Sequence, residues 1–241
     1  MVLAASVLAC QADYFTKPQT LGGTEVSADA LNRGRDIYIR YCQTCHGEEG
    51  DGKGPSSWGQ WPSPRNFQSA KFKYAGILDR GLPADDELVR VIRGGLNGSA
   101  MKPWDLPDNQ VRDVIHYIKT FSPPGKGFRN PELAGYQPEI PADPWSDRTA
   151  AVTRGEELYH SIFQCSSCHP QYVPDAKFKS WQNTVPRAQE PMRSVPKPSP
   201  GYDNVLLPPD FKVHPMRSVR IGDDGSSAAD LYRVVAFGLQ G

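Results

Sequence analysis

Five cysteines stand at positions 10, 42, 45, 165 and 168, and four of them fall into two copies of one pattern. Cys42-Gln43-Thr44-Cys45-His46 and Cys165-Ser166-Ser167-Cys168-His169 are both C-x-x-C-H. Two thiols about one helical turn apart can add to the two vinyl groups of a single porphyrin. The histidine that follows then reaches the iron from the same side. The pattern is the spacing for covalent attachment of a c-type haem, and its repetition predicts two such haems. Two other chemistries use C-x-x-C. A dithiol redox pair needs a βαβ context that this sequence lacks, and a zinc site needs the two pairs to converge.

The elements that must position these groups repeat as well. Gly34 to Cys42 matches Gly155 to Cys165 in residue type, and each reads as a helix running into its motif. The second carries a capping-box pattern at Thr153 and Glu156. Downstream, Pro64-Arg65-Asn66-Phe67 parallels Pro209-Asp210-Phe211. The stretch from Glu87 to Gly98 parallels Asp230 to Gly241 at a constant offset of 143 residues. Within it, residues 88, 91 and 92, and again 231, 234 and 235, have the i, i+3, i+4 spacing of a buried helix face. A further helix is predicted after Pro107, capped by Asp108, with Val111, Val114, Ile115 and Ile118 on one side. Applied to Met101, the same offset leads to position 244, past Gly241, so the second module is expected to lack a methionine loop and a last helix.

Composition narrows the function. Lys and Arg total 27 against 27 Asp and Glu. The balance holds on both sides of Gly125, 14 against 14 and then 13 against 13, so neither half has the basic excess that nucleic acid selects. No apolar run approaches the ~20 residues of a membrane-spanning helix. Gly and Pro number 22 and 23, which implies much irregular chain, and residues 170–209 alone hold nine prolines. That stretch reads as a wrapping arm or a partner contact. At the N-terminus, Val7-Leu8-Ala9-Cys10 is similar to a bacterial lipobox, in which the cysteine is lipidated, although no Lys or Arg precedes it. Lipidation and haem attachment agree on a compartment outside the cytoplasm.

Taken together, these motifs resemble the class I cytochrome c superfamily in its two-module bacterial form. The resemblance rests on both C-x-x-C-H motifs, the loop Gly50-Asp-Gly52-Lys-Gly54-Pro55, and Gly98-Ser-Ala-Met101-Lys-Pro-Trp104 before a final helix. Cys168 to Val173 and Leu207 to Phe211 are also similar to dihaem lipoproteins found beside respiratory complexes such as alternative complex III. The resemblance implies a mainly α fold of two tandem cytochrome c-like helical modules joined by a Pro/Gly-rich linker. Residues 1–26 would be the end of a lipoprotein signal and an arm, 27–122 the first module, 123–149 the linker and 150–241 the second module.

It implies covalent haem on Cys42, Cys45, Cys165 and Cys168, with His46 and His169 as proximal iron ligands and Met101 as the distal ligand of the first haem. A thioether is a soft ligand that favours ferrous iron and raises the potential. Pro55 is the expected carbonyl acceptor for the His46 ring N–H, and Arg65 and Trp104 are candidates to meet the haem propionates. Met192, His214 and Met216 are the downstream candidates for the second distal position. The spacing from Phe211 reads His214 and Met216 as packing residues, so no distal ligand is assigned there.

The expected function is single-electron transfer by a dihaem cytochrome with no small-molecule substrate, held by lipid at Cys10 on the periplasmic side of a bacterial membrane. Its partners would be a quinol-oxidising complex, a cytochrome oxidase or a photosynthetic reaction centre. A rival reading is an oxidoreductase of peroxidase or thiosulfate-dehydrogenase type with an open second haem. A third is a fixed subunit of a larger complex.

Overall fold

The computed structural model describes residues 13–74, 81–133, 139–182, 208–214, 216–217, 219 and 226–238. Cys10 and Met192 lie outside them. The fold is mainly helical, with one two-stranded sheet. Two compact units emerge, Met1–Ile140 together with Met216–Gly241, and Pro141–Pro215.

The first unit opens on an antiparallel hairpin, β1 (Gln19–Leu21) and β2 (Thr24–Val26), turned at Gly22-Gly23, where φ is +60° and +82°. Leu21 and Val26 pack on Leu31 of α1 (Ala28–Tyr41). Ser27 caps α1 by accepting from the Ala30 N–H. A short turn, α2 (Gln43–His46), carries the first motif. Helices α3 (Asp85–Gly94) and α4 (Asp108–Lys119) complete the core.

The apolar face expected on α4 is buried: Val111, Val114, Ile115 and Ile118 are at most 6% exposed. Val111 and Ile115 meet Leu88 of α3 and Phe128, while Val114 and Ile118 meet Tyr38, Phe67 and Tyr117. Helix α1 crosses α4 at Gly34. A Cβ there would sit 2.1 Å from the Asp113 carbonyl oxygen, so only glycine permits the approach.

Two expected caps are replaced. Helix α4 begins at Asp108 with Pro107 as its N-cap, and the Asp108 carboxylate pairs instead with Arg93 at 2.5 Å. In the second unit, α5 (Arg148–Glu157) starts six residues earlier than the Thr153 pattern implies. Asp147 caps it through the Thr149 and Ala150 N–H groups, Thr153 bonds back to the Thr149 carbonyl, and Glu156 pairs with Lys177. A carboxylate six residues upstream outcompetes the capping box.

The second unit also shows how a longer spacer is fitted. Tyr38 precedes Cys42 by four residues, whereas Tyr159 precedes Cys165 by six. A π-helical turn at Leu158–Ile162 and a left-handed Gln164, with φ +55°, take up the excess before the second motif. Helix α6 (Asp175–Gln182) follows. His160 is buried beside it, stacked on Trp181, with Nδ1 2.7 Å from the Glu156 carbonyl and Nε2 accepting from the Tyr172 N–H.

The last helix, α7 (Ser226–Phe237), gathers with the first unit although its sequence parallels α3. Its expected apolar face is not the buried one, since Leu231 and Val235 are 40% and 66% exposed. The inward side is charged. Asp230 is fully buried and Glu87 is 2% exposed, and two arginines bind them crosswise. Arg90 reaches Glu87 at 2.7 Å and Asp230 at 3.6 Å, while Arg233 reaches Asp230 at 3.0 Å and Glu87 at 3.1 Å. Glu87 and Arg90 are the residues that the offset of 143 maps onto Asp230 and Arg233, so the repeat meets itself in a reciprocal contact.

Removing one partner of a buried ion pair costs about 3–5 kcal/mol because the remaining charge is stranded. Glu87→Gln is therefore expected to destabilise the holoprotein by about 3 kcal/mol in denaturant unfolding. Glu87→Leu combined with Arg233→Leu should recover part of that loss. A pH effect is expected from α4. The buried Nδ1 of His116 has no hydrogen-bond partner among the described residues. Burial lowers its pKa, Lys119 and Arg112 add to the effect, and Asp85 and Asp113 oppose it. Protonation then favours the unfolded chain, so this contribution is complete above the ordinary histidine value of about 6.5 and drains away as pH falls below it. His116→Leu should flatten the dependence of melting temperature on pH between about 7.5 and 5.5.

Candidate haem centres

Both motifs fold into the same tight turn. The histidine N–H bonds the carbonyl of the first cysteine at 2.9 Å in each, His46 to Cys42 and His169 to Cys165. The second cysteine's N–H reaches the same carbonyl at 3.2 Å in each. The four thiols are free. Burial, reinforced by Cys45, pushes the Cys42 thiol up to about 12, and burial also raises Cys165. Reactive dithiols have the opposite bias, because their surroundings lower the thiol pKa. Among the described residues, no three His, Cys, Asp or Glu side chains converge into a metal cage.

The first site is built against the glycine loop. The Gly52 N–H bonds the His46 carbonyl at 2.8 Å, and the Gly54 N–H bonds the Cys45 carbonyl at 3.1 Å. A Cβ at Gly54 would lie 2.3 Å from the Thr44 carbonyl oxygen, and one at Gly52 would lie 2.6 Å from the Pro64 carbonyl oxygen. Gly52 thus lets the chain at 64–66 close against the motif. The Arg65 carbonyl comes within 3.0 Å of His46 Nδ1. A carbonyl only accepts, so Nδ1 carries the proton and Nε2 keeps its lone pair. Burial holds the His46 pKa below its usual value, which favours the neutral ring.

Arg65, rather than Pro55, therefore supplies the expected bond. Pro55 is exposed at the far end of the loop. The sequence marks Arg65 for its side chain, yet its part in this contact belongs to its backbone. Phe67, two residues on, stacks on His46 with ring centroids 4.4 Å apart and planes 18° apart.

The second site repeats the plan. His169 Nδ1 lies 3.0 Å from the Pro209 carbonyl, and Phe211 stacks on the ring at 4.4 Å and 30°. Arg65 and Phe67 are thus matched in role by Pro209 and Phe211. A tyrosine on the preceding helical segment adds a third shared contact. Tyr38 Oη donates to the Gly47 carbonyl at 2.7 Å, and Tyr159 Oη lies 3.1 Å from the Pro170 carbonyl. Gly47 and Pro170 each follow the motif histidine directly, so both hydroxyls pin the same point of the turn. Burial raises both tyrosine pKa values, which keeps the hydroxyls protonated as donors. Neither tyrosine was read as functional from sequence. The available signal was a tyrosine recurring four residues after the matched Gly34 and Gly155.

Other expected residues are placed as follows. Met101 is half-buried on the loop after α3, where its carbonyl accepts from the Leu96 N–H and its N–H bonds Ser99 Oγ. Trp104 is half-buried against Tyr41, with centroids 5.4 Å apart, and its N–H bonds the Ile92 carbonyl. His214 is exposed, with Nδ1 close to the backbone of Asp210. The Met216 carbonyl accepts from Asn97 in the first unit.

The donor set fits a c-type haem: paired thiols, an imidazole whose Nδ1 is tied off, and a stacked aromatic that fixes the ring. The family described as cytochrome c oxidase, cbb3-type, subunit III matches this chain over residues 29–118. That segment is a c-type cytochrome domain. It brings with it a covalent haem and an electron-transfer role. The second motif, outside that segment, has the same contacts around its histidine. A solved chain of the Kuenenia stuttgartiensis reducing HAO-like protein complex is similar over 87% of this chain and 84% of its own. The two are 27% identical with a TM-score of 0.62. No curated protein matches. Among the described residues, no helix is long and apolar enough to cross a membrane.

Bound at the cytochrome domain, haem supplies a one-electron iron couple. Cys42 and Cys45 are the residues that would hold it, and His46 would present Nε2 to the iron. The Arg65 carbonyl, by pulling on the Nδ1 proton, would make that imidazole a stronger ligand. Tyr38→Phe leaves the Gly47 carbonyl without its buried partner and is expected to cost about 1–3 kcal/mol in unfolding free energy. Tyr159→Phe, at a longer and less buried contact, should cost less.

Proposed function

We propose that the protein is a dihaem c-type cytochrome that passes single electrons between redox proteins and transforms no substrate of its own. The observation that carries this is the recurrence at both motifs of three contacts: ring N–H to backbone carbonyl, phenylalanine on imidazole, and tyrosine to the next carbonyl. One such site can arise around a local turn. Two built from different spacers and different carbonyl acceptors point to one purpose.

Association with a larger redox assembly is the favoured setting, because the similar solved chain comes from a protein complex. Balanced charge, 27 basic against 27 acidic residues, gives little long-range steering, so a fixed or tethered partner suits it better than diffusional encounter. Lipidation at Cys10 on the periplasmic face would provide a tether, with quinol-oxidising and oxidase-type complexes as donor and acceptor.

Coulometric titration of the purified holoprotein tests the reading. Two electrons per chain are expected, falling to one when Cys165 and Cys168 are both replaced by alanine. Uptake of one electron by the unaltered protein would contradict it. Turnover of peroxide or thiosulfate would instead favour the enzyme reading.

A further inference from the structure

The loop that carries Met101 is held from outside by the C-terminal part of the first unit. Within itself the loop is a closed turn. Gly95 and Gly98 take φ of +64° and +68°, the Leu96 N–H bonds the Met101 carbonyl at 2.8 Å, and Ser99 Oγ bonds the Leu96 carbonyl at 2.7 Å. Its tip is Asn97. The backbone N–H of Asn97 donates to the Arg217 carbonyl at 2.9 Å, and its Nδ2 donates to the carbonyls of Met216 and Val219 at 3.0 and 3.1 Å. One residue thus makes three bonds to a segment about 120 residues further along.

That segment leads to α7, whose Asp230 and Arg233 interlock with Glu87 and Arg90 on α3. Helix α3 is the element from which the loop emerges. The C-terminal stretch therefore grips the same structure at two points, at the first turns of α3 and just past its end. Such a grip bears on ligation. A methionine on a glycine-containing loop competes with water and other ligands for iron, and what keeps it in place is the cost of swinging the loop away. The loop's own bonds travel with it. The three bonds at Asn97 do not, and they must break when the loop leaves.

We propose that Asn97 is a positioning residue through which Met216, Arg217 and Val219, together with α7, clamp the Met101 loop, so that these C-terminal residues set how firmly the first haem keeps its methionine. The inference rests on reading Met101 as the distal ligand of that haem.

The test uses ferric holoprotein, with imidazole as the competing ligand and the far-red sulfur-to-iron charge-transfer band as readout. In the unaltered protein the band should be present and resist imidazole. Asn97→Ala removes two of the three bonds and is expected to lower the imidazole concentration needed to bleach the band by about tenfold. Asn97→Asp keeps the shape but turns an acceptor toward two carbonyls, and should bleach at least as readily. Arg233→Met acts on α7 rather than on the loop and should shift the midpoint in the same direction. It also carries the test if the Asn97 variants fail to accumulate.

Midpoints within about twofold of the unaltered protein in all variants would overturn the clamp while leaving the dihaem reading intact. Absence of the band from the unaltered protein would remove Met101 as ligand and the clamp with it. Two-electron uptake would then still support the two-haem reading independently.

Discussion

The hydrogen bond from each motif histidine to a backbone carbonyl is the contact on which the rest of the architecture depends. A C-x-x-C-H turn alone presents an imidazole that can rotate and can carry its proton on either nitrogen. Tying Nδ1 to a carbonyl removes both freedoms, leaving Nε2 as the only lone pair. The carbonyl has to come from elsewhere in the chain, 19 residues on at Arg65 and 40 residues on at Pro209. Much of the first unit serves to bring it there. Gly52 and Gly54 have no side chains that would hold the loop off, Phe67 seals the ring from one side, and Tyr38 braces the turn from the core.

The second unit reaches the same contacts by another route. Its spacer is longer, and its preceding helix ends in a π turn and a left-handed residue rather than running straight into the motif. Its carbonyl comes from a proline instead of an arginine. Local backbone differs while the contacts around the imidazole agree. The reciprocal ion pairs of α3 and α7 join the two parallel stretches of sequence directly. A helix bearing an acid followed three residues later by an arginine is complementary to a copy of itself, so a repeated segment can find its counterpart within one chain.

What the sequence made legible was local. Covalent spacing in the motifs, apolar periodicity in α4 and the parallel of Pro64–Phe67 with Pro209–Phe211 are all readable because neighbours in the chain decide them. The sequence points to Pro55 as the acceptor for His46, whereas Arg65 supplies it, since the closing of residues 64–66 on Gly52 is a long-range packing event. The caps at Asp108 and Thr153 failed for a related reason. Arg93 lies on another helix and claims the first, and an upstream aspartate displaces the second. The apolar spacing of α7 suggested a buried stripe at Leu231 and Val235, but buried charge governs how that helix docks. Periodicity reports which face could be buried, and a four-residue ion network can override it.

The most direct test of the account is peptide mapping by mass spectrometry of the protein purified from cells able to mature c-type cytochromes. The account predicts that the peptide containing Cys42 to His46 and the peptide containing Cys165 to His169 each carry one haem through two thioether bonds. A second peptide recovered with free thiols, or with Cys165 and Cys168 joined as a disulfide, would contradict it.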